Sequence, residues 1–343
     1  MDRYLLRDEN SIFYECGFSC DNAIFLRLGS EAFFVTDARY TTEAKENAKN
    51  CEVIESADLS KTVKSILRTH KVAKVFFDSK EFTHSQFVAL SKNCSTKFFD
   101  KKDLSKTKRI IKSEKEIDIL KKATQFGRIA FGQLGEFLQN FDGSLNEREI
   151  FAKAKMFLSA DGENDLSFEP ITAINANAAK PHALPDSKVT LCPNDLLLID
   201  AGLKFERYCS DRTVTICAKK SNFDIQNRIQ KFENTQMQKV YDLVYDAQMQ
   251  AIEGAKSGMK ASQIDKIARD IIADGGYGKF FVHSLGHGIG LDIHELPVIS
   301  SRSDTVIEDG MVFTIEPGIY LPNEFGVRIE DMVVMKNGRA EIL

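Results

Sequence analysis

Four apolar, strand-like runs in the second half of this chain each carry a carboxylate. They are DLLLIDAG (195–202) with Asp200, YCSDRTVTI (208–216) with Asp211, MVFTIEPGIY (311–320) with Glu316 and GVRIEDMVV (326–334) with Glu330. Strand side chains alternate between faces, so Leu196 and Leu198 share a face with Asp200, and Thr213 and Thr215 share one with Asp211. By the same rule Val312 and Thr314 go with Glu316, and Arg328 goes with Glu330. A carboxylate buried alone in such a run is costly. Taken singly, each has an ordinary explanation. Asp200 can be a turn residue beside Gly202, and Arg328 can pair with Glu330 or Asp331 in a surface salt bridge worth little. Four together call for a shared source of positive charge.

The segment FFVHSLGHGIGLDIHELP (280–297) supplies a complement. His283 and His287 are four apart, the spacing of a metal-binding pair on a helix. Gly286, Gly288 and Gly290 oppose a helix and favour an extended segment whose backbone can approach something closely. His294-Glu295 does not open an H-E-x-x-H zinc helix, because Val298 stands where the second histidine is required and Pro297 would break the helix. Nor is this a nucleotide loop: the glycine spacing is wrong and no G-K-[ST] follows. One such histidine is most simply structural; three within twelve positions mark a site. Asp200, Asp211, Glu316, Glu330 and His287 then form one candidate centre. Converging carboxylates need a strong positive charge between them, and two divalent cations about 3.5–4 Å apart would provide it. Mostly oxygen donors with one imidazole suit manganese and also admit cobalt, iron or zinc.

At 343 residues the chain suits two domains better than one core. A net charge of −4, with no long single-sign run, leaves no footprint for nucleic acid or an anionic membrane surface. No stretch approaches the roughly 18 apolar residues of a membrane span, and MDRYLLRDENS lacks the apolar core of an export signal. The seven cysteines are irregularly spaced and read as mostly buried thiols, which predicts a reducing, cytoplasmic setting.

From about 10 to 108 short apolar runs alternate with helical ones. AIFLRL (23–28) and EAFFVTD (31–37) flank a tight turn at Gly29-Ser30, followed by a helix over 41–50 and a strand over 51–56. A helix over 59–70, a strand over 72–78 and a helix over 85–93 complete a small α/β domain with no active site. The boundary falls in the lysine-rich stretch 101–116. Ser113 with Glu116 makes a capping box, after which Ile117, Leu120, Thr124, Phe131, Leu134 and Leu138 trace a helical stripe. A second box, Ser144 with Glu147, predicts a helix to about 159; further helices are expected over 224–256 and 262–274, the last ending at Gly275-Gly276. Two helices followed by acidic strands, twice over, point to two related α/β halves.

The order Asp200, Asp211, then H-S-L-G-H-G-I-G with His287, I-E-P-G with Glu316 and R-I-E-D with Glu330 resembles the pita-bread metallopeptidases. These include aminopeptidase P, prolidase and methionine aminopeptidase. The resemblance covers about 113–343 as a pseudo-symmetric catalytic domain. Residues 1–108 resemble the amino-terminal α/β domain of aminopeptidase P and prolidase, with FVTDARY (34–40) the clearest segment. That domain and G-V-R-I-E-D are more like the proline-specific branch than methionine aminopeptidase.

The resemblance implies that Asp200, Asp211, His287, Glu316 and Glu330 ligate two divalent metals. It implies that His182, in AAKPHALP, lines the substrate pocket, that His283 and His294 contact substrate and steady the tetrahedral intermediate, and that Arg328 lies near the metals. Glu316 is the expected general base. The expected activity is release of the amino-terminal residue from peptides with proline second; a prolidase restricted to Xaa-Pro dipeptides is the alternative, since the same motifs serve both. A homodimer is also implied. One departure is Asp211-Arg212-Thr213-Val214-Thr215 where the family often reads D-x-T-R-T, which moves an arginine and puts its local salt bridge in doubt.

Overall fold

The computed structural model describes residues 3–141, 144–219, 223 and 225–343, in two compact units, Met1–Arg109 and Ile110–Leu343. In the first, the expected hairpin forms: β2 (Ala23–Leu28) pairs antiparallel with β3 (Glu31–Thr36) across Gly29, whose φ is 67°. With β1 (Arg3–Leu6), β4 (Glu52–Glu55), β5 (Lys74–Phe77) and β6 (Lys97–Asp100) they make one six-stranded sheet ordered β4-β3-β2-β1-β5-β6. Helices α1 (Glu9–Cys16), α2 (Thr41–Asn47), α3 (Leu59–Thr69), α4 (His84–Ser91) and α5 (Leu104–Lys108) complete the unit. Leu5, Leu26, Val35, Val63, Leu67 and Val75 belong to one of its two apolar clusters.

The second unit opens with α6 (Glu114–Asn140), started by the Ser113–Glu116 box as the sequence predicts. Helix α7 (Glu147–Leu158) departs from expectation. Its cap is Asn146 with Glu149, two residues later than the Ser144–Glu147 box. The Glu147 carboxylate is occupied elsewhere, accepting from Ile174 N, Asn177 Nδ2 and Asp186 N at 2.7 Å each. The third helix starts late as well. Residue 224, its predicted start, lies outside the described residues, and α8 runs Thr235–Gly254 behind an Asn234 cap. Helix α9 (Ala261–Asp274) follows.

Strands β7 (Ile171–Ile174), β8 (Leu196–Ala201) and β11 (Arg212–Cys217) form a sheet ordered β11-β8-β7, with the small hairpin β9 (Lys204–Phe205) and β10 (Tyr208–Cys209) between β8 and β11. A second sheet is ordered β13-β12-β14-β17-β18, from β12 (Gly286–Gly288), β13 (Glu295–Ile299), β14 (Val312–Ile315), β17 (Asp331–Lys336) and β18 (Arg339–Ile342). The hairpin β15 (Gly318–Leu321) and β16 (Phe325–Arg328) stands beside it. Leu197, Ile199, Val214 and Ile216 pack with Ala130, Leu134 and Ile150 of α6 and α7. Phe313, Ile315 and Val333 pack with Val244, Ala247, Ile264 and Ala268 of α8 and α9. A helix pair on a sheet is thus built twice, the mixed α/β pita-bread arrangement. In β8 the alternation holds: Leu197 and Ile199 join the α6–α7 core, while Leu196 and Leu198 join the other, on the face that carries Asp200.

All seven cysteines are free thiols, but Cys192 is exposed rather than buried. Among the described residues no helix is long and apolar enough to cross a membrane.

Candidate metal centre

The two sheets meet through hydrogen bonds between β11 and the β16–β17 corner: Glu330 N donates to Thr213 O at 3.0 Å, and Thr215 Oγ1 donates to Arg328 O at 2.8 Å. The carboxylates gather at this junction. Asp200 is the next-to-last residue of β8, opposite Thr213; Asp211 directly precedes β11, Glu316 follows β14, and Glu330 sits between β16 and β17. Thr213 Oγ1 donates to Glu330 Oε2 at 2.7 Å, so both threonines face this side as expected. His287 enters from β12. Its flanking glycines are required: a Cβ on Gly286 would stand 1.9 Å from Thr314 O, and one on Gly288 would stand 2.1 Å from Leu296 O.

The electrostatics are those of crowded, dehydrated acids. Burial and then the charge of Glu330 push the Asp211 carboxyl well above its ordinary range. Burial and then the charge of Glu316 do the same to Glu330. Burial takes Glu316 up to about 8, with Arg328 opposing and Asp200 adding to the rise. Arg328 is itself buried, which works against its charge, but Tyr320 and the surrounding carboxylates hold it protonated. It is not in a surface pair with Glu330 or Asp331. Its Nη2 donates to Asp200 Oδ2 at 2.6 Å, its Nε to Thr213 Oγ1 at 3.1 Å, and its Nη1 to Tyr320 OH at 2.8 Å and Pro181 O at 3.2 Å.

The pocket histidines divide. His283 is largely buried, with burial lowering its pKa to about 4. Its Nδ1 faces Ser284 O at 2.8 Å; a carbonyl can only accept, so Nδ1 carries the proton and Nε2 accepts from Tyr320 OH at 2.9 Å. His294 is exposed and packs edge-on against the His287 ring at 4.4 Å. His182 is also exposed, on the segment whose Pro181 carbonyl accepts from Arg328. Arg212, the displaced arginine, faces away from the acids. It packs over the Phe131 ring of α6 at 5.5 Å and donates to Gln226 Oε1 at 2.9 Å, and burial lowers its pKa to about 10.

Family comparison agrees with this arrangement. The model of metallopeptidase family M24 matches residues 118–337, and that of the creatinase/prolidase N-terminal domain matches residues 1–111. The chain belongs to metallopeptidase family M24. A Xaa-Pro dipeptidase of Pyrococcus horikoshii is 40% identical over 251 residues, 73% of this chain and 67% of that protein. The structure of a Xaa-Pro dipeptidase from Bacillus anthracis superposes with a TM-score of 0.90 at 32% identity, covering 99% of this chain and 92% of that one. An X-Pro aminopeptidase from Thermotoga maritima gives 0.85, also at 32%, covering 100% and 95%.

Membership in family M24 implies divalent metal, and the residues of this M24 chain fit it. Donor atoms of Asp211, His287 and Glu330 all lie within 4.8 Å of one another. Asp200 Oδ1 and Asp211 Oδ1 are buried with no hydrogen-bond partner, an expense a cation between them would remove. His287 Nδ1 faces Gly288 O at 3.1 Å, which makes Nδ1 the donor and turns the Nε2 lone pair toward Asp211 Oδ2 at 3.6 Å and Glu316 Oε1 at 3.5 Å. A lone pair aimed at two carboxylate oxygens is repulsive unless a cation lies between them. Tyr320, which joins His283 to Arg328, was not singled out from the sequence. Its only signal there is its place four residues after Glu316 in I-E-P-G-I-Y.

Proposed function

We propose that this chain is an Xaa-Pro peptidase that hydrolyses the bond preceding proline, with Asp200, Asp211, His287, Glu316 and Glu330 holding two divalent ions, manganese best matching the donor set. The observation that carries the reading is the junction of four carboxyl groups against the guanidinium of Arg328, with two buried carboxylate oxygens, Asp200 Oδ1 and Asp211 Oδ1, left unpartnered. When bound, the ions would lower the pKa of a water and polarise the scissile carbonyl. In this reading Glu316 takes the proton of the attacking water and returns it to the proline nitrogen as the C–N bond breaks. His294, exposed at the rim, meets the substrate and the developing oxyanion. His283 does so from within, and to donate from Nε2 it must exchange its present Tyr320 contact for a proton. His182 borders the same pocket, and Arg328 orients Asp200.

Two peptide lengths compete. The Pyrococcus and Bacillus likenesses, both named Xaa-Pro dipeptidase, support Xaa-Pro dipeptides as the substrate. The Thermotoga likeness, named X-Pro aminopeptidase, supports the second reading, release of the first residue from longer peptides with proline second. A homodimer in the cytoplasm belongs to the same proposal and rests on the family resemblance. Chromatography of products from Xaa-Pro and Xaa-Pro-Xaa peptides, with manganese added, tests it. Cleavage of the dipeptide alone establishes the first reading and cleavage of the longer peptide the second; cleavage of neither would refute both.

A further inference from the structure

We propose that Arg269, on α9, is a positioning residue for His283, fixing the backbone on both sides of it from outside the metal centre. The proposal deepens the reading above and rests on its placement of His283 against the substrate. Arg269 Nε and Nη2 donate to Asp265 Oδ2 and Oδ1, each at 2.8 Å, in a two-point pair one helical turn apart. Asp265 is fully buried, and its Oδ1 also accepts from Leu285 N at 3.2 Å. The same guanidinium donates from Nη1 to Phe281 O at 3.2 Å and from Nη2 to His283 O at 3.0 Å. Residues 281, 283 and 285 are therefore all tied to one ion pair.

The side chains continue the connection. The Arg269 guanidinium lies 4.2 Å from the centre of the Phe281 ring, and that ring meets His283 edge-on, with centroids 5.1 Å apart and planes at 88°. With the backbone held by Arg269, the ring is left to settle between Phe281, Ser284 O and Tyr320 OH. Only a planar fork can meet two carboxylate oxygens and two carbonyls together; a lysine offers one point of charge. An ion pair needed only for helix stability would have no reason to reach across to a histidine loop.

Two measurements test the proposal. The first uses long-range 1H–15N spectra of the metal-free protein, with the His283 ring assigned through His283→Asn. The wild-type ring should show a single Nδ1-protonated tautomer. In Arg269→Lys it should move toward a tautomer mixture, with its pKa rising from about 4 toward 6.5. Unchanged ring signals would overturn the proposal.

The second uses the manganese-supplemented protein on Xaa-Pro dipeptide. Arg269→Lys should lower kcat by up to about 100-fold with little change in KM, and should cost nothing further in a His283→Asn background. Equal losses in both backgrounds also overturn the proposal. A His283→Asn protein as active as wild type would instead sink the role given to His283, and the ring spectra would still decide the positioning. If Arg269→Lys does not fold, Arg269→Gln takes its place. Failure of both to fold assigns Arg269 to folding and overturns the proposal.

Discussion

Arg328 Nη2 lies 2.6 Å from Asp200 Oδ2, while the other oxygen of that carboxylate, Oδ1, is buried with no hydrogen-bond partner. One side of Asp200 is held by a fixed cation and the other side is left for something else. The guanidinium also reaches Thr213 Oγ1 and Tyr320 OH, so it orients the carboxylate as well as balancing its charge. Arg328→Met should therefore weaken metal affinity and kcat/KM by about 10- to 100-fold. Metal titration alongside steady-state kinetics checks this, and unchanged affinity would show that Asp200 needs no such orientation.

Glu316→Gln should abolish turnover while the protein stays folded. The amide keeps an oxygen for a metal and a near-identical shape but cannot take a proton from water. Near-normal activity with intact metal content would remove Glu316 from its role as general base.

His283 gives a pH dependence of known sign. Burial lowers its pKa from 6.5 to about 4. Between those values the unfolded chain binds a proton that the folded chain refuses, so its contribution is present above pH 6.5 and is lost as pH falls toward 4. The loss approaches about 3 kcal/mol. Urea unfolding of wild type and His283→Asn at pH 7 and pH 4.5 isolates it: the gap between the two proteins should shift with pH, and a constant gap would contradict the assignment.

Lys112 and Glu295 form an ion pair at 2.8 Å with side chains only 1% exposed. Glu295 Oε1 also accepts from Asp292 N, which braces the turn before His294. Lys112→Met removes a cation from beside a buried carboxylate and should destabilise the protein by about 3–5 kcal/mol. Lys112→Met combined with Glu295→Gln should recover much of that loss. Denaturant midpoints decide it, and a single variant as stable as wild type would mean the pair contributes nothing.

Features set by near neighbours were legible in the sequence. The β2–β3 hairpin at Gly29 and the Ser113 cap of α6 each depend on a few adjacent residues. So did the rejection of a helix around His287, because three glycines there argue locally. The convergence of Asp200, Asp211, Glu316, Glu330 and His287 was legible for another reason: buried acids have few solutions, and one compensating centre is the simplest. What failed was partner choice across space. Ser144 and Glu147 have capping-box spacing, but three donors from residues 174–186 occupy Glu147, and the box moves to Asn146 and Glu149. Tyr320 and Arg269 bear on His283 through contacts 37 and 14 residues away in sequence, and no local pattern announces them.

The measurement that bears most directly on the account is metal content coupled to activity. Purified protein, stripped with a chelator and dialysed, should lose hydrolysis of Xaa-Pro peptide and melt at a lower temperature. Titration with manganese should restore both and saturate at two ions per chain. Asp211→Asn should bind fewer. Full activity after complete stripping, or no binding of divalent ions at all, would contradict the metal centre and the chemistry built on it.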